Sequence, residues 1–341
     1  MTPSYGGGGG KPLALTMGEP AGVGGEITLK AWLRRREGVP PFFVVDDVKR
    51  LEELAGKLGL EVTVAAIGAP EEATAVFLSK LPVWPLSMAV KARPGELNPD
   101  NAAAVRSSIE IAVAFVRSGA ASAVVTNPIH KQCMYEAGFN FPGHTEFLAD
   151  LAGISTPPVM MLLCPELRVA PVTIHVSLNE AVRSLTAEAI VTMAVIVEAA
   201  LRRDFSIAEP RLAVAGLNPH AGEGGAMGDE EIKIIGPAVV ELQRLGVKAF
   251  GPEPPDTLFD ARARKTYDAV ICMYHDQALI PIKTIAFDHA VNVTLGLPFV
   301  RTSPDHGTAL NIAGFGKADE TSLIAALKLA ADMAHHRAVN D

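Results

Sequence analysis

A chain of 341 residues is too long for one small domain, and with 49% apolar and 20% charged residues it can bury a large core. A formal net charge of −8 argues against a general nucleic-acid binder, while leaving room for a local basic pocket that holds an anion. Three cysteines (Cys133, Cys164, Cys272) lie in or beside apolar runs with no CxxC spacing, which excludes a disulfide framework and suggests buried thiols in a reducing compartment.

No apolar run reaches the roughly 20 residues of a membrane span. The opening MTPSYGGGGG lacks the charged and apolar regions of a signal peptide. A soluble cytoplasmic protein is therefore expected, with residues 1–10 as a flexible tail. Pro12–Thr16 reads as a strand that breaks at Met17–Gly25 (MGEPAGVGG) and restarts as a helix over Glu26–Arg36. Such a turn either faces a ligand or is structural. Neither GxxxxGK[ST] nor GxGxxG is present, so a P-loop or ordinary Rossmann fingerprint is not supported.

Strands are expected at Pro41–Val45 and Glu61–Ile67, with a helix at Val48–Leu58 between them. The proline-rich Leu81–Pro99 reads as irregular edge structure, and Asn101–Ser118 as an amphipathic helix. Ala123–Thr126 is a strand leading into Asn127–Lys131. Phe141–Glu146 (FPGHTE) then sets His144 and Thr145 just ahead of a helix starting near Glu146. Spare N–H groups there would seat an anion, unless Thr145 is simply an N-cap.

Three strand-like runs each end in a histidine: Leu167–His175, Arg211–His220 and Tyr267–Asp276 (YDAVICMYHD). Strand ends are where open α/β sheets place ligands, and three neutral imidazoles leave a divalent ion an open position for substrate. Any one of them alone would read as a capping or core histidine. Between and after them come helices at Val176–Ala199 and Ile232–Leu245, and a long acidic glycine-rich loop over Ala221–Glu231. Gly251–Asp256 is rigid and delivers Asp256 either to a functional surface or as a helix N-cap, while Gln277–Lys283 turns away at Pro281. Lys283, Asn292 and Arg301 flank the strand Val291–Leu297 in apolar surroundings, where a cation needs an anion beside it. Thr302–Lys317 reads as a loop and Glu320–His335 as the last helix. From these residues alone a metal-dependent hydrolase or aldolase suits as well as a dehydrogenase. A non-catalytic phosphate-binding protein would not need three strand-end histidines.

GEPAGVGGE (Gly18–Glu26), TNPIHK (Thr126–Lys131), GHTE (Gly143–Glu146), GLNPHAGE (Gly216–Glu223), MYHDQALIPIK (Met273–Lys283) and SPDHGTALNIAG (Ser303–Gly314) resemble, in order, the 4-hydroxythreonine-4-phosphate dehydrogenase family of pyridoxal phosphate biosynthesis. The resemblance spans nearly the whole chain. It implies the α/β fold of the isocitrate and isopropylmalate dehydrogenase type: two α/β/α domains with the active site in the interdomain cleft. On this sequence the first would be 11–130 plus 305–341, and the second, carrying the metal and the dimer contacts, 131–304.

The resemblance also implies a divalent metal (zinc, magnesium or cobalt) on His175, His220 and His275. It puts substrate contacts at His144, Thr145, Asp256, Lys283, Asn292 and Arg301, with Lys283 or Asp256 moving the proton. NAD or NADP would lie along Ser303–Gly316, touching Ser303, Asp305, Gly307, Asn311 and Gly314. The reaction implied is oxidation of 4-phosphooxy-threonine to a 3-oxo acid, which decarboxylates to 3-amino-2-oxopropyl phosphate. A homodimer with a shared site is implied too. We take His175 and His220 from one subunit, His275 from the other, and Gln277–Ile282 as a partner surface.

Departures from the family pattern are Gly25 where proline is usual, Glu19 where aspartate is common, and Leu310 and Asn311 in place of Phe and Asp. The last removes a carboxylate beside the expected cofactor loop and leaves the choice between NAD and NADP open. Paralogues of the family oxidise sugar-acid phosphates or aromatic cis-diols.

Overall fold

A computed structural model describes residues 10–139, 141 and 143–340; of the expected tail only Gly10 falls within them, and Pro142 of the FPGHTE stretch lies outside. The chain forms two units, Met1–Pro157 with Leu297–His335, and Pro158–Gly296 with His336–Asp341.

Strand and helix alternate through the first unit: β1 (Leu13–Thr16), α1 (Gly24–Leu33), β2 (Phe42–Asp46), α2 (Val48–Leu58), β3 (Val64–Ala66), α3 (Glu72–Val76), β4 (Leu81–Pro85), α4 (Ala102–Arg117), β5 (Val124–Val125), α5 (Lys131–Glu136) and α6 (His144–Ala152). Local chemistry sets the boundaries of α2. The Asp47 carboxylate accepts from the Arg50 N–H at its start, and Gly59 takes the left-handed conformation at its end. The strands run parallel in the order β3-β4-β2-β1-β5. Because side chains alternate along a strand, Ala14, Phe43, Val45 and Val124 share one face, against Val105, Ile109 and Val113 of α4. Leu13, Leu15, Phe42 and Val44 fill the other, and both faces are buried, as the unbroken apolar runs require.

Two expectations change here. Leu81–Pro99 contains β4, which is an inner strand between β3 and β2. Pro82 forfeits one ladder N–H, yet Leu81 still donates to Thr63 O (2.8 Å) and Leu86 to Asp46 O (3.0 Å). The unit also continues past residue 130, because Met134, Phe139, Phe147 and Leu148 pack into the same core as α4.

The second unit holds β6 (Val159–Cys164), β7 (Leu167–Thr173), α7 (Leu178–Ser184), α8 (Ala187–Phe205), β8 (Arg211–Ala215), α9 (Gly236–Arg244), β9 (Lys248–Glu253), α10 (Pro255–Leu258), β10 (Ala269–Tyr274), α11 (His275–Ala286) and β11 (Val291–Leu295). Its strand order is β11-β6-β7-β10-β8-β9, with β6 antiparallel to both neighbours and the rest parallel. Leu162, Val169, Ala213, Val270 and Cys272 make one face against Ala278, Ile282 and Ala286 of α11.

The single helix expected over Val176–Ala199 is two, meeting at 92°, because the Thr186 hydroxyl caps α8 afresh at Ala189 N. Pro281, expected to turn the chain, sits inside α11. The chain then returns to the first unit as β12 (Arg301–Pro304), parallel to β5, and α12 (Thr321–Asn340). The expected loop over Thr302–Lys317 thus begins as a buried strand. Among the described residues no single helix is long and apolar enough to cross a membrane.

Candidate active site

In the second unit, β7 and β10 lie side by side with Thr173 opposite Tyr274, so the histidines that follow them emerge together. The rings of His175 and His275 have centroids 5.8 Å apart. They line a pocket of about 190 Å³ with Thr173, Val176, Leu178, Ala181, Tyr274 and Asp276. Two imidazoles on one tetrahedral ion, with M–N near 2.1 Å, would hold centroids roughly 5.3 Å apart, close to the observed spacing. His275 Nδ1 lies 2.8 Å from Asp276 Oδ1, a contact that leaves Nε2 as the nitrogen a ligand would use. His175 takes φ +48°, a left-handed backbone that a non-glycine residue adopts at a cost. The pair therefore suits a divalent ion.

His220 is brought in differently. Among the described residues no group of three His, Cys, Asp or Glu side chains is placed to hold an ion, and His220 is not among those lining the His175–His275 pocket. The sequence reading set His175 with His220 and His275 apart; within one chain the structure sets His175 beside His275. His220 sits in a loop after β8, in a run of left-handed residues from His220 to Gly224. Gln277 ties that loop to α11: its Nε2 donates to Gly216 O (2.7 Å) and its Oε1 accepts from Met273 N (2.6 Å). Gln277 stood within the MYHDQ motif without being singled out, and only its burial reveals it.

The other expected residues of this unit are spread along it. Asp256 stands exposed in the first turn of α10 and makes no capping bond. Lys283 is half-buried on α11, its Nζ 5.9 Å from the centre of the Phe287 ring. Asn292 on β11 keeps a buried Oδ1 without a hydrogen-bond partner.

The first unit gathers three expected residues. Arg301 opens β12 and is 4% exposed, and its Nη2 and Nε donate to Thr126 Oγ1 at 2.6 and 3.2 Å. Burial pulls its pKa down to about 10. His144 and Thr145 form the first turn of α6, which has no side-chain N-cap and so leaves N–H groups for an anion. His144 Nε2 is sealed from solvent without a partner. Burial first, then the charges of Arg301 and Lys131, hold its pKa well below the usual value, so the ring is neutral. A buried guanidinium beside a neutral imidazole and an uncapped helix start is chemistry for a phosphate or carboxylate.

The glycine-rich turn after β1 is closed by protein. A Cβ at Gly18 would come within 2.6 Å of Asn127 Cβ, and one at Gly22 within 2.8 Å of Thr308 O. At Gly25 the room a proline ring would need is taken by Leu54 and Arg50. Arg50 pairs with both oxygens of Asp46, so the acid ending β2 is unavailable as a ribose ligand.

The expected cofactor loop is anchored on α1. The Glu26 carboxylate accepts from Gly314 N (3.2 Å) and Ala318 N (2.9 Å), and Lys30 donates to Gly316 O (2.9 Å). Of the residues expected to touch a dinucleotide, Gly307 and Asn311 are exposed, Asp305 and Gly314 half-buried, and Ser303 buried in β12. An anchored loop with an exposed amide suits a nucleotide's hydrogen-bonding edge.

The model of the family "Pyridoxal phosphate biosynthetic protein PdxA" matches residues 39–330. A 4-hydroxythreonine-4-phosphate dehydrogenase of Bradyrhizobium diazoefficiens is 56% identical over 336 residues, covering 95% of this chain and 97% of the relative. The crystal structure of a 4-hydroxythreonine-4-phosphate dehydrogenase from Klebsiella pneumoniae superposes with a TM-score of 0.85 at 38% identity, covering 95% of this chain and 99% of that one. A terephthalate 1,2-cis-dihydrodiol dehydrogenase from Burkholderia xenovorans follows at 0.65 and 26%, covering 95% and 98%. The α/β fold of the isocitrate and isopropylmalate dehydrogenase type, expected from the sequence, is the fold of these relatives. By its match over most of its length, and by its identity to relatives of near-equal span, the chain belongs to the PdxA family of pyridoxal phosphate biosynthetic proteins.

Proposed function

We propose that this chain is a metal-dependent, NAD(P)-linked 4-hydroxythreonine-4-phosphate dehydrogenase that works as a homodimer. It would oxidise 4-phosphooxy-threonine to a 3-oxo acid that loses carbon dioxide to give 3-amino-2-oxopropyl phosphate. The observation that carries the reading is 56% identity over 95% of the chain to an enzyme of that name. The groups found in the structure support it. When bound, a divalent ion would supply Lewis acidity toward a substrate hydroxyl, and NAD(P) would accept hydride.

In this reading His175, His220 and His275 hold the ion, and Asp276 orients His275. Arg301, neutral His144 and Thr145 receive the phosphate, with Thr126 orienting the guanidinium. Asn292 offers its unpartnered amide oxygen to a substrate donor, and Lys283 or Asp256 takes the hydroxyl proton. The dinucleotide lies along Ser303–Gly316, and loss of a carboxylate at Asn311 makes the loop more tolerant of a 2′-phosphate. A second chain supplies His220 to the His175–His275 pair. Ile280 (66% exposed) on α11 and Phe287 (78%) just after it give that partner an apolar surface to cover.

The cis-diol dehydrogenase reaction is the second reading, and the lower identity to that relative, 26% against 56%, disfavours it. The deciding experiment follows NAD(P)H formation from 4-phosphooxy-threonine, its unphosphorylated analogue and an aromatic cis-diol, with and without chelator. Chelator-sensitive turnover of the phosphorylated substrate alone is expected. Turnover of the diol alone, or full activity after chelation, would overturn the assignment.

A further inference from the structure

The His220 loop takes a backbone its sequence does not favour. His220, Ala221, Gly222, Glu223 and Gly224 have φ of 52°, 51°, 79°, 44° and 64°, one left-handed turn in which three residues carry a Cβ. A strained run of this kind persists only where its surroundings fix it. The fixing group here is Glu231, 5% exposed and invisible in the sequence except as the last residue of an acidic loop. Its Oε1 accepts from Leu217 N and Asn218 N, both at 2.7 Å, and its Oε2 from Asn218 Nδ2 at 2.9 Å. The same amide donates to Glu230 Oε2 at 2.7 Å. The carboxylate also backs directly onto the turn, since a Cβ at Gly222 would come within 2.7 Å of Glu231 Oε2. Glu231 opens a π-helical turn, Glu231–Ile235, ahead of α9, a geometry that recurs at functional sites.

We propose that Glu231 is a positioning residue for the metal centre: it holds the entry to the left-handed turn so that His220 is presented ready to bind. The inference rests on the reading of His220 as a metal ligand. Glu231 touches neither ion nor substrate and acts through Leu217 and Asn218. Without it the turn relaxes toward ordinary right-handed backbone, and His220 leaves its position. Groups that orient a ligand in this way commonly change metal affinity by about 10- to 100-fold.

The test is a Co²⁺ titration of the metal-free protein in its native assembly, read by visible ligand-field absorption, with thermal unfolding recorded in parallel. Glu231→Ala should bind Co²⁺ about 10- to 100-fold more weakly with an altered spectrum. Glu231→Gln should stay within a few-fold of wild type, because its amide oxygen can still accept both backbone N–H groups. His220→Ala, as reference, should lose the native spectrum. A merely structural glutamate would lower the melting temperature and leave Co²⁺ affinity unchanged in the folded protein. Wild-type affinity in folded Glu231→Ala, with His220→Ala impaired, overturns the positioning role and spares the metal reading. Wild-type affinity in His220→Ala overturns both. If Glu231→Ala does not fold, Glu231→Asp, which withdraws the carboxylate by one methylene, replaces it with the same two outcomes.

Discussion

Arg301 is a buried cation whose pKa is drawn down by burial to about 10, well below its value in the unfolded chain. Between those values the unfolded chain binds more protons, so stability should rise with pH there, and at neutral pH the full cost of the buried charge is present. An anion offsets that cost. Inorganic phosphate should therefore raise the melting temperature of the wild type and leave that of Arg301→Met unmoved, while Arg301→Met without phosphate should melt no lower than wild type. The same variant should raise KM for the phosphorylated substrate by a factor equivalent to roughly 2–5 kcal/mol and change KM for the unphosphorylated analogue little. Equal losses on both substrates would remove Arg301 from the phosphate.

His144 has the same sign from the other side of neutrality. Its folded pKa lies well below 6.5, because of burial and then the charges of Arg301 and Lys131. As pH falls through 6.5 the unfolded chain takes up a proton that the folded chain refuses, so stability drops. His144→Gln should flatten the stability profile below that pH, and an unchanged slope in denaturant titrations would contradict the assignment. At this scale the sequence singled out residues that stood in an apolar run or a motif, as Arg301 and the three histidines did. Glu231 and Gln277 act through hydrogen bonds to backbone, and Thr126 and Asn218 through hydrogen bonds to side chains, away in the sequence, and no spacing encodes such partners.

Gln277 shows how one side chain can order two elements. It satisfies Met273 N at the end of β10 and Gly216 O beyond β8, both out of reach of water. Gln277→Ala should leave a buried donor and acceptor unpaired and destabilise the fold by roughly 2–4 kcal/mol in urea unfolding. A loss under about 0.5 kcal/mol would show that the junction is not held this way.

Most elements were legible because parallel strands buried on both faces read as short apolar runs. Val48–Leu58 matches α2 at both ends, since its capping aspartate and terminal glycine are local signals. The misreadings share a cause. Prolines at 82, 85 and 281 suggested breaks, but a strand can forgo one N–H and a helix can keep a proline where the surrounding packing is strong enough. The bend between α7 and α8 was hidden because the apolar pattern continues across it. The left-handed turn at His220 was hidden because histidine, alanine and glutamate carry no signal for that backbone.

For the whole molecule, the proposed homodimer asks how two copies would build one site. With His175 and His275 emerging together from adjacent strands of one chain, and His220 outside that pair, the partner's contribution is expected to be His220. Two-fold symmetry then gives two equivalent sites per dimer, each joining the paired imidazoles of one chain to the loop of the other. The exposed Ile280 on α11 and Phe287 just after it are apolar surface that the proposed dimer would cover.

The most direct measurement mixes inactive variants pairwise, unfolds and reassembles them, and follows NAD(P)H formation from 4-phosphooxy-threonine. In His220→Ala mixed with His275→Ala, one site of each mixed dimer collects both lesions and the other none. With random assembly about half the dimers are mixed and half of their sites are whole, so roughly a quarter of wild-type activity should return. In His175→Ala mixed with His275→Ala every site keeps a lesion, and the mixture should stay inactive. Recovery of a quarter in the first mixture and none in the second is the result expected of a metal-dependent dehydrogenase with a shared site. No recovery in the first, with mixed dimers verified by mass, or recovery in the second, would contradict it.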